Sequence, residues 1–181
     1  MPVGSLYCAD ENPAPHRGAV YQYRPVPWLE PPLWLVRDVH WSPPRRATIF
    51  QTGEVRDAFR RADQEHQEDV MTRAKQRFVV VLSADPELGK RNLKEVMVAP
   101  AYTFHETHPP TFVEAVRMSR LPYTFYLPDD PSHPEIAECY LDFRQVQPLH
   151  REFLTDGKLN VCLAPTTVKA VLQRFRQYLR V

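Results

Sequence analysis

Two arginines stand where the chain could hold an anion. Arg77 opens the apolar run Phe78–Leu82, and Arg144 interrupts the alternating stretch Ala137–Val146. A guanidinium stays charged when desolvated, and its planar fork offers paired donors to an oxyanion. Both residues suit plain structural roles equally well, Arg77 as a strand-entry cation and Arg144 as a solvent-facing edge charge. Tyr102 and Thr103 lie just past a second apolar run, Val96–Val98. If the two runs pair as neighbouring strands, any chemistry belongs where Arg77 meets that dipeptide. Other groups invite a metal reading. Glu65, His66, Glu68 and Asp69 cluster in sequence, but a solvated helix face accounts for them. His105-x-x-His108 lacks an evident third ligand, and Pro109 interrupts any helix there, so a loop is expected.

The elements that must position these residues follow from pattern. Arg77–Pro100 reads as two buried strands around a polar, turn-rich loop at 84–94. Leu121–Leu127 (LPYTFYL) is aromatic and β-branched, as strands are. In Ala137–Val146 the alternation sets Cys139, Leu141 and Phe143 on one face and Tyr140, Asp142 and Arg144 on the other. Near the C-terminus, Pro165 at a first turn, Thr166 or Thr167 as cap, and Val168, Val171, Leu172, Phe175 and Leu179 on one face predict a helix. Lys169, Arg174, Arg176 and Arg180 make its other face basic, which also suits the dipole. Upstream, residues 1–17 read as a loose arm and Gly18–Tyr23 as a strand closed by Pro25 and Pro27. Trp34–Trp41 and Ala47–Gln51 are further strand candidates, and 54–76 carries helical spacing. The phrase FVEAVRM suggests one or two amphipathic turns.

Composition bounds the rest. A chain of 181 residues, 43% hydrophobic and 25% charged, suits one soluble domain with extensions. A net charge of +1 announces no polyanionic partner. Nineteen prolines against five glycines, nine of the prolines in the first fifty residues, predict a turn-rich N-terminal part. Cys8, Cys139 and Cys162 are odd in number and widely spaced, which argues against a disulfide framework or a zinc site and for a reducing cytoplasm. The N-terminus lacks the pattern of a signal peptide, and no run is long enough to span a bilayer. A soluble, cytoplasmic protein is expected.

Laid out in this way, the second half resembles the PemK/MazF toxins of type II toxin–antitoxin pairs. Arg77-Phe-Val-Val-Val-Leu-Ser83 is similar to the family's R-P-x-V-V-x-S strand, with Phe78 where proline usually stands. Val96-Met-Val-Ala-Pro100 is similar to its V-I-V-A-P strand, and Leu121–Leu127 to its L-P-T-x-V-x-L strand. Phe143-Arg-Gln-Val146 resembles its I-R-T-V, with Asp142 in place of the preceding glutamine, and Leu163-Ala-Pro165 resembles its L-S-P helix start. Arg17–Tyr23 fits the opening R-G-D-V-Y strand better than Gly53–Phe59 does, although the latter has the better spacing. Tyr102 takes the place of the usual threonine, and Thr103 follows one residue later.

The resemblance implies a mainly β (α+β) fold, a small, strongly curved antiparallel barrel of the PemK/CcdB type. It would carry a C-terminal helix and an inserted proline-rich and helical segment at about 24–76, within a single domain over 18–181. It implies a homodimer, held in check by an antitoxin, that cleaves single-stranded RNA without a metal or other cofactor. Carried over residue by residue, Arg77 is the principal catalytic group, Arg144 a second phosphate clamp and Thr103 a hydrogen-bond donor. Tyr102 would stack a base, with Ser83 and Gln145 as further RNA contacts. A non-catalytic interaction protein on the same barrel is the alternative.

Overall fold

The structure is a computed structural model. It describes residues 5–12, 14–28, 34–36, 48–49, 69–71, 73–83, 95–154 and 158–180. The chain forms two compact units, Met1–Pro25 with Gln76–Val181, and Val26–Lys75.

The larger unit is built on a mainly antiparallel sheet that curls into a half-barrel. Its strands are β1 (Tyr7–Ala9), β2 (Ala19–Trp28), β6 (Arg73–Val81), β7 (Glu95–Thr103), β8 (Thr124–Leu127), β9 (Cys139–Asp142), β10 (Gln147–His150) and β11 (Lys158–Leu163). They run in the order β1-β11-β2-β6-β7-β9-β8, with β10 also pairing β7. The two apolar runs pair as neighbours, Val79 opposite Pro100 and Val81 opposite Val98. Alternate residues send Val80, Leu82, Ala99, Ala101 and Leu141 into the main core. Val79, Val81 and Val98, on the other face, are buried as well. Two-sided burial explains why Val79–Leu82 is continuously apolar, whereas in the second run Val96 and Val98 are buried and Met97 between them is exposed.

Two helices complete the unit. Helix α1 (Pro110–Arg117) starts after Pro109 because a proline at the first helical position lacks only a donor that would have no partner there. Its Val116 is fully buried. Helix α2 (Pro165–Leu179) lays Val168, Val171 and Phe175 against the core. Its N-cap is Ala164, with no side-chain cap bond, and Thr167 is buried instead of capping. Leu179, expected on the apolar face, is exposed, and Tyr178 packs there in its place.

Several expectations change on contact with the structure. The N-terminal segment is pinned by β1, with Tyr7 opposite Leu163 and 3% exposed. Strand β2 runs through Pro25 and Pro27 instead of stopping at them. The end of the stretch read as helix over 54–76 is strand, at Asp69–Met71 and again from Arg73. Pairing with a neighbouring strand overrides local helical spacing there. Residues 50–68, with Glu65, His66 and Glu68, lie outside the described residues. Strand β9 ends at Asp142, and Phe143–Gln145 make a 3-10 turn that Asp142 caps by accepting from the Arg144 amide.

In the smaller unit β3 (Trp34–Val36) pairs antiparallel with both β4 (Thr48–Ile49) and β5 (Asp69–Met71). Among the described residues, no helix is long and apolar enough to cross a membrane.

Candidate functional site

Extended by two residues, the register that opposes Val79 to Pro100 brings Arg77 level with Tyr102. Tyr102 in turn lies opposite Tyr140, and Tyr140 opposite Tyr126. Four adjacent strands therefore carry a row of Arg77, Tyr102, Tyr140 and Tyr126 on the face away from the main core. The contacts agree with the register. The Arg77 guanidinium carbon sits 4.1 Å from the centre of the Tyr102 ring. Tyr102 stacks on Tyr140 with ring centres 5.7 Å apart and planes at 24°. Phe104, two residues on from Tyr102 and so on the same side, reaches Tyr140 at 5.3 Å. A cation over a partly desolvated ring is worth roughly 1–2 kcal/mol, which helps to hold Arg77 in place.

Arg144 comes to this face by a different route. Because the 3-10 turn begins straight after Asp142, the Arg144 side chain folds back over its own cap. Its Nε donates to Asp142 Oδ1 at 3.0 Å and a terminal nitrogen donates to Oδ2 at 2.6 Å. Its guanidinium carbon lies 3.9 Å from the centre of the Tyr123 ring. Asp142 is buried, whereas the Arg144 side chain is 50% exposed, so the cation keeps an open side.

Electrostatics ties these groups into one site. Burial raises the Tyr102 phenol above its ordinary range, opposed by the charges of Arg77 and Arg144 and reinforced by Asp142. Tyr140 is raised for the same reasons, burial first and then the Asp142 charge. The bidentate bond to Asp142 raises Arg144 further. The set thus carries two fixed cations, one carboxylate and two phenols held neutral. Its net positive charge and neutral O–H donors suit an oxyanion.

Beside the row, Arg117 grips Glu138 with two bonds of 2.8 Å, and the Tyr126 hydroxyl donates to Glu138 at 2.6 Å. Burial and then Glu138 push the Tyr126 phenol up to about 12. Arg117 holds the Glu138 carboxyl below its usual range against the effect of burial.

Of the residues singled out in the sequence, Arg77, Tyr102 and Arg144 share this face. Thr103 does not: it pairs with Cys139, on the core side of β7. Ser83 is buried, and its Oγ accepts the Met97 amide at 2.8 Å, bridging the ends of β6 and β7. Gln145 is exposed on the turn beside Arg144. His105 and His108 sit in a loop, where the His105 amide donates to His108 Nδ1 at 3.0 Å. Sequence reasoning left Tyr140, Asp142, Tyr123 and Phe104 without a role. Alternation did group Tyr140 and Asp142 with Arg144, but nothing in the sequence signalled the turn that folds Arg144 onto Tyr123.

A second charged cluster lies where β1 meets β11. Asp10 is buried and receives His16 Nε2 at 2.9 Å, the Lys158 ammonium at 2.9 Å and the Asn12 amide at 3.1 Å. Burial works to raise the Asp10 carboxyl, yet Lys158 and His16 together hold it below its usual range. His16 Nδ1 also faces the Arg17 carbonyl at 3.0 Å. Ligand-type atoms of Asp10, His16 and Cys162 lie within 4.8 Å of one another, a grouping that their distant positions in the chain concealed. The Lys158 ammonium already provides the cation that Asp10 needs. No family model matches the chain, and no curated protein matches it.

Proposed function

We propose that this chain is an endoribonuclease of the PemK/MazF type that cuts single-stranded RNA without a metal. In this reading its sheet is the family's curved barrel, and it acts in the cytoplasm as a homodimer restrained by an antitoxin. The observation that carries the reading is one face bearing two arginines and two neutral phenols, at the positions where the sequence resembles the family's phosphate-binding arginines.

In the reaction the 2′-oxygen attacks the neighbouring phosphorus, and the bond from phosphorus to the 5′-oxygen breaks. Arg77 and Arg144 hold the charge that grows on the phosphorane oxygens, where preorganised cations contribute most. Tyr102, kept protonated by its surroundings, gives its proton to the departing 5′-oxygen. Asp142 takes the 2′-hydroxyl proton once Arg144 turns from it to the phosphate. The products are a 2′,3′-cyclic phosphate and a 5′-hydroxyl, and proton exchange with water resets the two groups. Tyr102 lies between Arg77 and Tyr140, so it serves this reading as a proton donor and not as a base platform. Thr103 and Ser83 take no part.

The test is incubation of the full chain with unstructured RNA in the presence of a chelator, with analysis of product ends. Cyclic phosphate ends are expected, and Arg77→Ala should slow their formation about 10²- to 10³-fold. Unchanged cleavage by a folded Arg77→Ala variant would remove the site from the mechanism. A second reading, a non-catalytic binding module on the same barrel, draws on the fact that Arg77 and Arg144 both have partners within the chain. Under that reading RNA or a protein is retained with no products at any enzyme concentration.

A further inference from the structure

Cys8 and Cys162 occupy directly opposed positions on the antiparallel strands β1 and β11. Their sulfurs lie 2.8 Å apart, closer than two unbonded thiols normally rest. Adjacent strands already hold the two backbones in place, through pairs on either side, Tyr7 with Leu163 and Ala9 with Val161. A disulfide requires the two backbones to be a few ångströms apart with side chains converging, and opposed residues on neighbouring strands meet that requirement. Closing the bond asks only for a small side-chain movement and no rearrangement of the sheet.

We propose that Cys8 and Cys162 form a reversible covalent site, a cross-strand pair that an oxidant of the disulfide class converts to a disulfide. Cys8 is the more open of the two, and Cys162 is 8% exposed. The Cys8 thiolate attacks oxidised glutathione, forming a mixed disulfide and releasing one glutathione thiolate. The Cys162 sulfur, its proton lost to solvent, then attacks the Cys8 sulfur and expels the second glutathione thiolate. Two protein thiols are oxidised to one disulfide, and one glutathione disulfide is reduced to two thiols. Burial and then the Cys8 hydrogen bond push the Cys162 thiol up to about 12 against the Lys158 charge, so its attack is the slow step and Cys8 reacts first. The result fastens the N-terminal strand to the strand that leads into α2. Cys139, buried in the core and remote in register from both, stays a thiol.

The experiment treats the full chain with oxidised glutathione, then unfolds it in an alkylating reagent and counts labelled cysteines by mass. Reduced protein takes three labels. Oxidised protein should take one, on Cys139, with a linked peptide pair containing Cys8 and Cys162, and dithiothreitol should restore three. Cys8→Ser should take two labels after the same treatment, with no linked pair. Three labels after oxidation would overturn the proposal, as would a glutathione adduct on Cys8 that persists in the wild-type chain. Protection of both sulfurs in native protein that a chelator, but not a reductant, relieves would also overturn it, by assigning the pair to a metal.

Discussion

The molecule holds two charged clusters of similar membership and opposite design. On the β6-β7-β9-β8 face, Arg77 and Arg144 rest on aromatic rings, with one carboxylate between two cations and with Arg144 half exposed. Where β1 meets β11, Asp10 is enclosed by His16, Lys158 and a backbone amide, each within hydrogen-bond distance. The second arrangement satisfies its charges internally and has little left to offer a ligand. The first holds Arg77 by a ring contact and Arg144 by a bidentate bond to Asp142 that leaves its guanidinium half exposed. Charged residues do not mark a site by their presence. What matters is whether their field is spent on one another, and perturbed groups serve structure when it is.

The largest test of this contrast falls on the closed cluster. Asp10→Ala would leave His16 and Lys158 facing each other without the carboxylate, and breaking such a buried pair costs about 3–5 kcal/mol. Urea unfolding should report that loss, with the slope unchanged. Its pH dependence follows from the direction of the shift. Asp10 is held below its unfolded value, so its contribution is complete above the unfolded carboxylate pKa of about 4 and fades as pH falls through the lower folded value. Wild type and Asp10→Asn should therefore converge in stability in strong acid and separate toward neutrality. A gap that is constant with pH would show that the ion pair contributes little.

The open cluster should respond in activity and not in stability. Tyr102→Phe keeps the ring between Arg77 and Tyr140 and removes only the hydroxyl. Loss of a positioned proton donor lowers a rate about 10²-fold or more, while unfolding should shift by less than about 0.5 kcal/mol. Because the Tyr102 phenol is raised, the acid form persists through neutral pH, and the alkaline decline of wild-type cleavage should fall above the ordinary phenol value of about 10. A wild-type rate that Tyr102→Phe leaves unchanged would assign proton donation elsewhere and leave Tyr102 as a support for Arg77.

How legible this was depends on the range of the interactions involved. The pairing of Phe78–Leu82 with Val96–Pro100 was readable because both stretches are apolar, mostly buried and separated in sequence by a short polar stretch. Helix α2 was readable from its spacing, although its cap was not, since Ala164 caps without a side-chain bond. The closed cluster could not be read. Its partners are brought together by a pairing of residues 154 apart, and a three-residue edge strand such as Tyr7–Ala9 has no periodicity to detect. Strand β10 was also hidden, because Gln147-Pro-Leu-His150 alternates weakly and takes its strand form from β7. In the open cluster, Arg77 and Tyr102 followed from strand register alone. Thr103 was excluded by the same alternation once the core side of β7 was known.

The subtlest test makes the two clusters differ by one charge. Asp142→Asn keeps an oxygen to accept the Arg144 amide, so the cap of the 3-10 turn survives while the ion pair is lost. Arg144 is half exposed, and such a pair contributes at most about 1 kcal/mol, so the fold should tolerate the change. The freed guanidinium then meets a phosphate without first leaving Asp142. RNA binding should tighten, and the plot of log affinity against log salt should steepen by about 0.7, the increment for one more phosphate contact on a single strand. If Asp142 also takes the 2′-hydroxyl proton, cleavage falls in the same variant in which binding rises. Opposite movement of binding and cleavage separates the ribonuclease reading from the binding-module reading, where only affinity can change. An unaltered salt slope would mean that Arg144 never reaches a phosphate, and that the open side of this cluster belongs to Arg77 alone.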